Sequence, residues 1–388
     1  MIERSQHFPI NWVDGMKINK NHFLATQDYS HEMVRDAIGI STSPISYGLL
    51  PSKVIDESVK ISLVIDNHKL LRVKLEECHA ITPNGSRIEI SSKNAQMLSL
   101  EEAYPEVAFQ LKESNQGEMV LLANVTVNPE KIPFGEPDPE ENPPRYPYLL
   151  PTYKLNLIPE GKFLEQTHSG YELTIGKIIV TPTETYLLDD YIPPSTTVSS
   201  HQHLINIYDQ IDKFLGQIEL FAVQIAQKIN HKNQNSDLGI ILLQLCERII
   251  DFTGKEINSF RWFALHQSPA YMFDKIVSLA RLMKNFIDSK SGSGKEDLLN
   301  YFAEWCSISQ GGFEVLFTEV VNTGYKHNQI DKTAISTVNF MRTMSDLFSA
   351  LNRLDFIGKR KDTGIFVKER EESSSLNRTQ RNRTFLAD

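Results

Sequence analysis

Residues 191–225, YIPPSTTVSSHQHLINIYDQIDKFLGQIELFAVQI, hold the point at which the chain changes its hydrophobic period. After Pro193-Pro194, the residues Leu204, Tyr208, Ile211, Leu215, Ile218, Ala222 and Ile225 recur at alternating steps of four and three. That spacing puts them on one stripe of a helix. Ile207, Phe214 and Phe221 widen the stripe on one flank. A stripe broader than a coiled-coil seam belongs to a helix that meets several others. The stretch predicts a helical bundle, with the seven residues as the seam of the bundle or of a trimer. Further helices are expected over 237–252, 269–288, 296–322 with an interruption at Gly311-Gly312, and 330–354.

Upstream of the junction the period is two. Short apolar runs at 59–65, 70–75, 86–91, 119–127, 153–158 and 171–180 are separated by turn residues. In the second run Leu71, Val73 and Leu75 alternate with Arg72 and Lys74, the pattern of a strand half buried on a core. Asn84-Gly85 supplies the turn that follows. With one helix near 22–38, this half reads as an antiparallel β-sandwich or barrel. Pro129, Pro133, Pro137, Pro139, Pro143, Pro144, Pro147 and Pro151 crowd one acidic stretch. Such density predicts an extended surface loop without regular hydrogen bonding, or else an ordered arm reaching over a neighbouring subunit. The fold class is thus α+β multidomain, an N-terminal antiparallel β-sandwich followed by a helical bundle. The divisions are a strand-rich domain at 1–195, a bundle at 196–356 and a basic, flexible tail at 357–388.

The chain of 388 residues carries 40 Lys and Arg against 49 Asp and Glu, a net charge of −9, which argues against a general nucleic-acid binder and leaves room only for a local basic patch. Hydrophobic usage of 40 % is that of a folded protein. No apolar run is long enough to span a membrane, and the N-terminus has no signal-peptide core, so a cytoplasmic protein is expected. The three cysteines, Cys78, Cys246 and Cys306, are too dispersed for a disulfide framework or a zinc knuckle and should be reduced. Gly292-Ser293-Gly294-Lys295 lacks the flanking Gly and hydroxyl of a phosphate loop, having Ser289 and Glu296 there instead. His201-x-His203 has no third ligand at metal spacing and reads as a pair of solvated helix-start histidines. The expectation is a non-enzyme with no cofactor, metal or small-molecule substrate.

Five segments resemble, in order, the TssK family of type VI secretion baseplate subunits. They are Trp12 to Phe23, containing Gly15-Met16 and His22-Phe23; Tyr47-Gly48-Leu49; Pro83-Asn84-Gly85; Tyr191-Ile192-Pro193-Pro194; and His266 to Tyr271. The chain departs from the family pattern at Lys20-Asn21 and Leu24, in the manner of a divergent branch. The resemblance implies a homotrimer with a sandwich shoulder and a helical neck, docked on TssG and TssF in the baseplate wedge. It also implies a C-terminal head linking baseplate to envelope through TssJ, TssL and TssM, for which too few residues remain after 354. A different envelope partner is therefore implied, with the protein at the inner face of the inner membrane. Trp12, Gly15, Met16, His22 and Phe23 are the shoulder-motif or partner-binding candidates. For Trp12, Met16, His22 and Phe23, packing within the shoulder or its trimer seam is preferred over contact with TssG.

From Lys359 to Asp388 eight basic residues face five acids, reversing the sign of the chain. Arg378, Arg381 and Arg383 are accordingly the candidate envelope contact. The alternatives from other classes are a trimeric phage-like receptor- or glycan-binding tail protein, and an enzyme with a dispersed site.

Overall fold

The computed structural model describes residues 5–41, 43–52, 58–93, 104–111, 117–143, 145–165, 170–231, 236–290 and 293–359. Helix α1 (Lys20–Ser41) precedes strands β1 (Gly48–Leu49), β2 (Val59–Ile65), β3 (Leu70–Ile81), β4 (Arg87–Ile90), β5 (Glu106–Gln110), β6 (Met119–Phe134) and β7 (Tyr148–Pro159). A short helix α2 (Glu160–Glu165) leads to β8 (Glu172–Val180) and β9 (Thr185–Leu187). Six long helices follow: α3 (Gln202–His231), α4 (Asp237–Phe263), α5 (Pro269–Asp288), α6 (Ser293–Trp305), α7 (Gln310–Asn322) and α8 (Ile330–Arg353). The α+β order expected from the change of period is the observed one.

β3 is the spine of the first sheet, pairing antiparallel with β2 and β5 over its first half and with β1 and β4 at its end. The alternation of Leu71, Val73 and Leu75 is inward, all three fully buried. The strand does not stop at Leu75. Lys60 opposes Glu77 while Ile61 opposes Leu75, so Glu76 is an extra residue in the ladder. This bulge reverses the parity and turns Cys78 and Ala80 to the same core. The second sheet has the order β7-β6-β8-β9. Its Leu121, Ala123, Val125, Leu173 and Ile178 meet the first sheet in one apolar core, which makes this half a sandwich.

The proline-rich stretch divides in two: the described residues between Gly135 and Pro147 have no regular structure, as the composition favours, while its two ends are paired strand. β6 runs through Pro133 to Phe134 and pairs with β7 as far out as Tyr148. β8 leaves β6 at Thr126, so the ribbon beyond is two-stranded and carries a bulge between Asn128 and Lys131. Prolines are tolerated at bulges and on free edges, where no donor is missed. The outcome is an ordered arm with Tyr146, Tyr148 and Leu149 exposed.

In the bundle, the α3 stripe is consumed inside the chain. Leu204, Ile211, Leu215, Ile218, Ala222 and Ile225 are all buried in the core with α4, α5, α7 and α8, and Tyr208 is half-buried, stacked on Phe260. Of the two readings, bundle seam or trimer seam, the side chains serve the first and offer a second copy almost nothing. The break before α7 lies at Cys306–Ser309 rather than at the glycines, because Ser309 caps the helix by accepting from the Gly312 N–H at 3.2 Å. Ser236 and Ser268 cap α4 and α5 in the same way. The region from residue 360 onward, with Arg378, Arg381 and Arg383, lies outside the described residues.

Candidate functional site

Three of the five segments meet where the two halves join. Gly48 adopts φ +109° and passes so close to Pro194 that a Cβ would overlap its carbonyl. Leu49, fully buried, donates its N–H to the Pro194 carbonyl at 2.8 Å and receives the Thr196 N–H at 2.9 Å and the Thr196 hydroxyl at 2.8 Å. The Val198 N–H donates to the Gln267 carbonyl at 3.0 Å, and the Ser268 hydroxyl donates to the Ile45 carbonyl. A second link comes from the loop before α8. His327 sets Nε2 2.8 Å from the Tyr47 carbonyl oxygen and Nδ1 2.7 Å from the Tyr325 hydroxyl.

The other two segments meet at α1. Gly85, at φ +87°, lies under the helix, where a Cβ would come within 3.0 Å of the Arg35 carbonyl and 3.2 Å of Ile38. Arg35 donates to the Tyr171 hydroxyl at 3.3 Å, and Lys131 at the base of the arm reaches His31 Nδ1 at 3.1 Å. Burial, aided by the Lys131 charge, lowers the His31 pKa. Glu32 is buried on the same helix, and its two carboxylate oxygens accept the N–H groups of Gln6 and His7 at 2.8 and 2.9 Å. Although burial opposes it, the hydrogen bonds to this carboxylate hold its pKa below the ordinary value. Glu32 thereby ties the chain preceding Trp12 to α1.

That tie displays an apolar surface. Trp12 is 49 % and Phe23 63 % exposed, with Phe8, Val13 and Ile18 also open. Trp12 meets His22 edge-on at 5.9 Å, and Met16 and His22 are half-buried. Gly15 has φ +78° in the turn between them, with open space where a side chain would begin. Trp12 and Phe23 are not part of the sandwich core of the protomer, which closes without them. On α1 itself Phe23, Met33, Val34 and Ile40 are exposed and share about a third of the helix circumference. The sequence reading missed Glu32 and this helix face. A moment of apolar residues at 23, 33, 34 and 40 was visible, but nothing in it said which face the sandwich would cover.

The side chains this surface exposes are mainly apolar and aromatic. Cys78 and Cys246 are free thiols pushed up to about 12 by burial, and Cys306 is raised by the same cause. Lys295, the lysine of the rejected phosphate loop, is held by Asp288 at 2.9 Å and Glu314 at 3.0 Å. His201 is not the solvated histidine expected. It stacks on His203 at 5.4 Å, and burial lowers its pKa to about 4. Among the described residues no His, Cys, Asp and Glu cluster could hold a metal ion, and no helix is long and apolar enough to cross a membrane.

No family model matches the sequence, and no curated protein matches it. Solved structures do. A crystal structure of TssK is matched over 86 % of this chain and 67 % of that one, with 14 % identity and a TM-score of 0.41. TssK from the type VI secretion system of EAEC, bound to a nanobody, is matched over 84 % and 69 %, with 12 % identity and a TM-score of 0.46. A chain of the type VI secretion system TssK-TssF-TssG baseplate subcomplex is matched over 88 % and 99 %, with 10 % identity and a TM-score of 0.49. In fold, the chain is similar to TssK structures of type VI secretion.

Proposed function

We propose that this chain is a structural baseplate adaptor of a type VI, contractile secretion system. In this reading it is a homotrimer that docks on the TssF and TssG wedge and links the baseplate to an envelope component. It works in the cytoplasm, at the inner face of the inner membrane, and carries out no catalysis. The observation that carries the reading is the exposed N-terminal surface: Trp12, Phe23 and the outer face of α1 lie beside the segment fixed by Glu32 and, among the described residues, remain exposed in the protomer. Trp and other large aromatics fixed on a surface are the residue types that dominate partner binding. Supporting it, the segment containing them is the first of the five that resemble TssK. The tail with Arg378, Arg381 and Arg383 is assigned the envelope side by its charge.

The test is capture of TssG and TssF by the full chain. Wild-type protein should retain both wedge subunits, and so should a chain lacking residues 355–388. The double variant Trp12→Ala, Phe23→Ala should lose them while keeping its circular dichroism and its mass. Light scattering of the wild type at the mass of one 44.3 kDa chain would remove the trimer from the proposal, and unchanged capture by the double variant would remove this surface.

A further inference from the structure

Tyr191 opens the Tyr-Ile-Pro-Pro segment, and the backbone bonds at the junction account for its neighbours but not for its side chain. Its N–H donates to the Leu188 carbonyl at 3.1 Å, and the residue is only 6 % exposed. The phenolic oxygen is buried with no hydrogen-bond partner among the described residues. Burial, with Asp331 and Glu160 nearby, raises its pKa, so the group is a neutral hydroxyl. A buried hydroxyl that donates and accepts nothing is costly, and such groups generally find a protein atom or an ordered water.

Beside it lies a cavity of about 20 Å³ between the two halves. Thr174, Lys177 and Glu160 wall it on the sandwich side, and Asp331 and Lys332 at the start of α8 wall it on the bundle side. Gln329 precedes that helix without capping it through a side chain, and its carbonyl accepts the Lys332 N–H at 3.2 Å. The size admits about one water molecule and excludes any organic ligand. The charges favour neither a cation nor an anion. Glu160 and Lys177 pair at 3.0 Å, and Asp331 and Lys332 bring one charge of each sign, so the four sum to zero. A bare cation would meet two ammonium groups and a bare anion two carboxylates. Only a neutral donor-acceptor fits all of the walls.

We propose that this cavity is a binding site for a single structural water, held by the Tyr191 hydroxyl and by polar groups of both halves. The joint then has, beside its direct hydrogen bonds at Leu49, Ser268 and His327, a solvent-mediated link at Tyr191. Tyr191 reads as a residue selected for its hydroxyl as well as its ring, because Phe would fill the same space.

Two measurements on the full chain test this. A crystal structure at a resolution that reveals ordered solvent should show one water within hydrogen-bonding distance of Tyr191 Oη and of at least one bundle group. Thermal unfolding of Tyr191→Phe should show a Tm lowered by about 2 °C, since a satisfied hydroxyl and its water lose a partner. If the hydroxyl were unsatisfied, its removal would relieve a desolvation cost instead. An unchanged or raised Tm would overturn the proposal, as would a wild-type cavity without ordered density or one holding an ion identified by anomalous scattering.

Discussion

Acid should loosen the sandwich from the bundle through one histidine. His327 is 4 % exposed, and its two ring nitrogens face a carbonyl oxygen, from Tyr47, and a hydroxyl, from Tyr325. The carbonyl can only accept, so Nε2 carries the proton and Nδ1 accepts from Tyr325. The Tyr47 ring lies edge-on at 4.7 Å, and burial raises the pKa of both tyrosines, which stay neutral through the acid range. Burial lowers the His327 pKa from 6.5 to about 4, against a smaller opposing contribution from the Tyr47 backbone. The folded state thus refuses a proton that the unfolded chain takes up below pH 6.5. Stability from this group is whole above that pH and is lost as pH falls from 6.5 towards 4. The gap of about 2.5 units at 1.36 kcal/mol each amounts to about 3 kcal/mol. His201, also depressed to about 4 by burial, adds a loss over the same window, so the informative quantity is a difference between proteins. Urea unfolding of wild type and His327→Gln at pH 7.5, 5.5 and 4.5 supplies it. The variant should be less stable at pH 7.5 and should lose less on acidification. Parallel curves for the two proteins would refute the assignment of this loss to His327.

Three other substitutions separate the remaining assignments. Gly48→Ala should lower the urea midpoint by the equivalent of more than about 1 kcal/mol, because the conformation at φ +109° and the Pro194 backbone both exclude a Cβ; an unchanged midpoint would mean the joint can shift to admit it. Ile211→Ala should cost about 2–5 kcal/mol without changing the mass of the assembly by light scattering, whereas loss of mass before unfolding would return the α3 stripe to a trimer seam. Glu32→Gln should leave the melting profile of the bundle in place, speed amide exchange at Gln6 and His7, and weaken wedge capture; unaltered exchange would show that the carboxylate does not hold the segment.

The bundle was legible because burial there is settled within single helices. A stripe at steps of four and three must be covered by something, and the α5 limits at 269 and 288 coincide with Ser268-Pro269, a cap followed by a first-turn proline. The sandwich was legible wherever a strand alternates without interruption, as at Leu71 to Leu75. It was not legible at Glu76, since a bulge moves the apolar positions from odd to even and makes one long strand look like a strand and a loop. The paired base of the arm, Pro129 to Phe134 with Tyr148 to Pro151, was missed for a related reason. Proline density counts against a ladder only if both edges of the strand are paired, and the sequence does not say that β8 leaves β6 at Thr126. The site was legible as a motif but not as a surface, because which face of α1 is covered depends on Gly85, Tyr171 and Lys131, far away in the chain.

Those distant partners also separate the five segments by role. Tyr47-Gly48-Leu49, Pro83-Asn84-Gly85, Pro193-Pro194 and the stretch at Ser268 each have a backbone reason for their residues: a positive φ, a close approach, a cap, or a carbonyl offered across the joint. Replacing them would be felt in the isolated protomer. Trp12 to Phe23 is different. Gly15 meets its turn requirement, but Trp12 leaves 49 % and Phe23 63 % of its surface in water while Leu49 and Phe260 are fully buried. Burial of a large apolar side chain is worth about 1.5–3 kcal/mol. Two aromatics left this far in water, on a segment fixed by the buried Glu32 carboxylate, are what the proposed wedge contact requires.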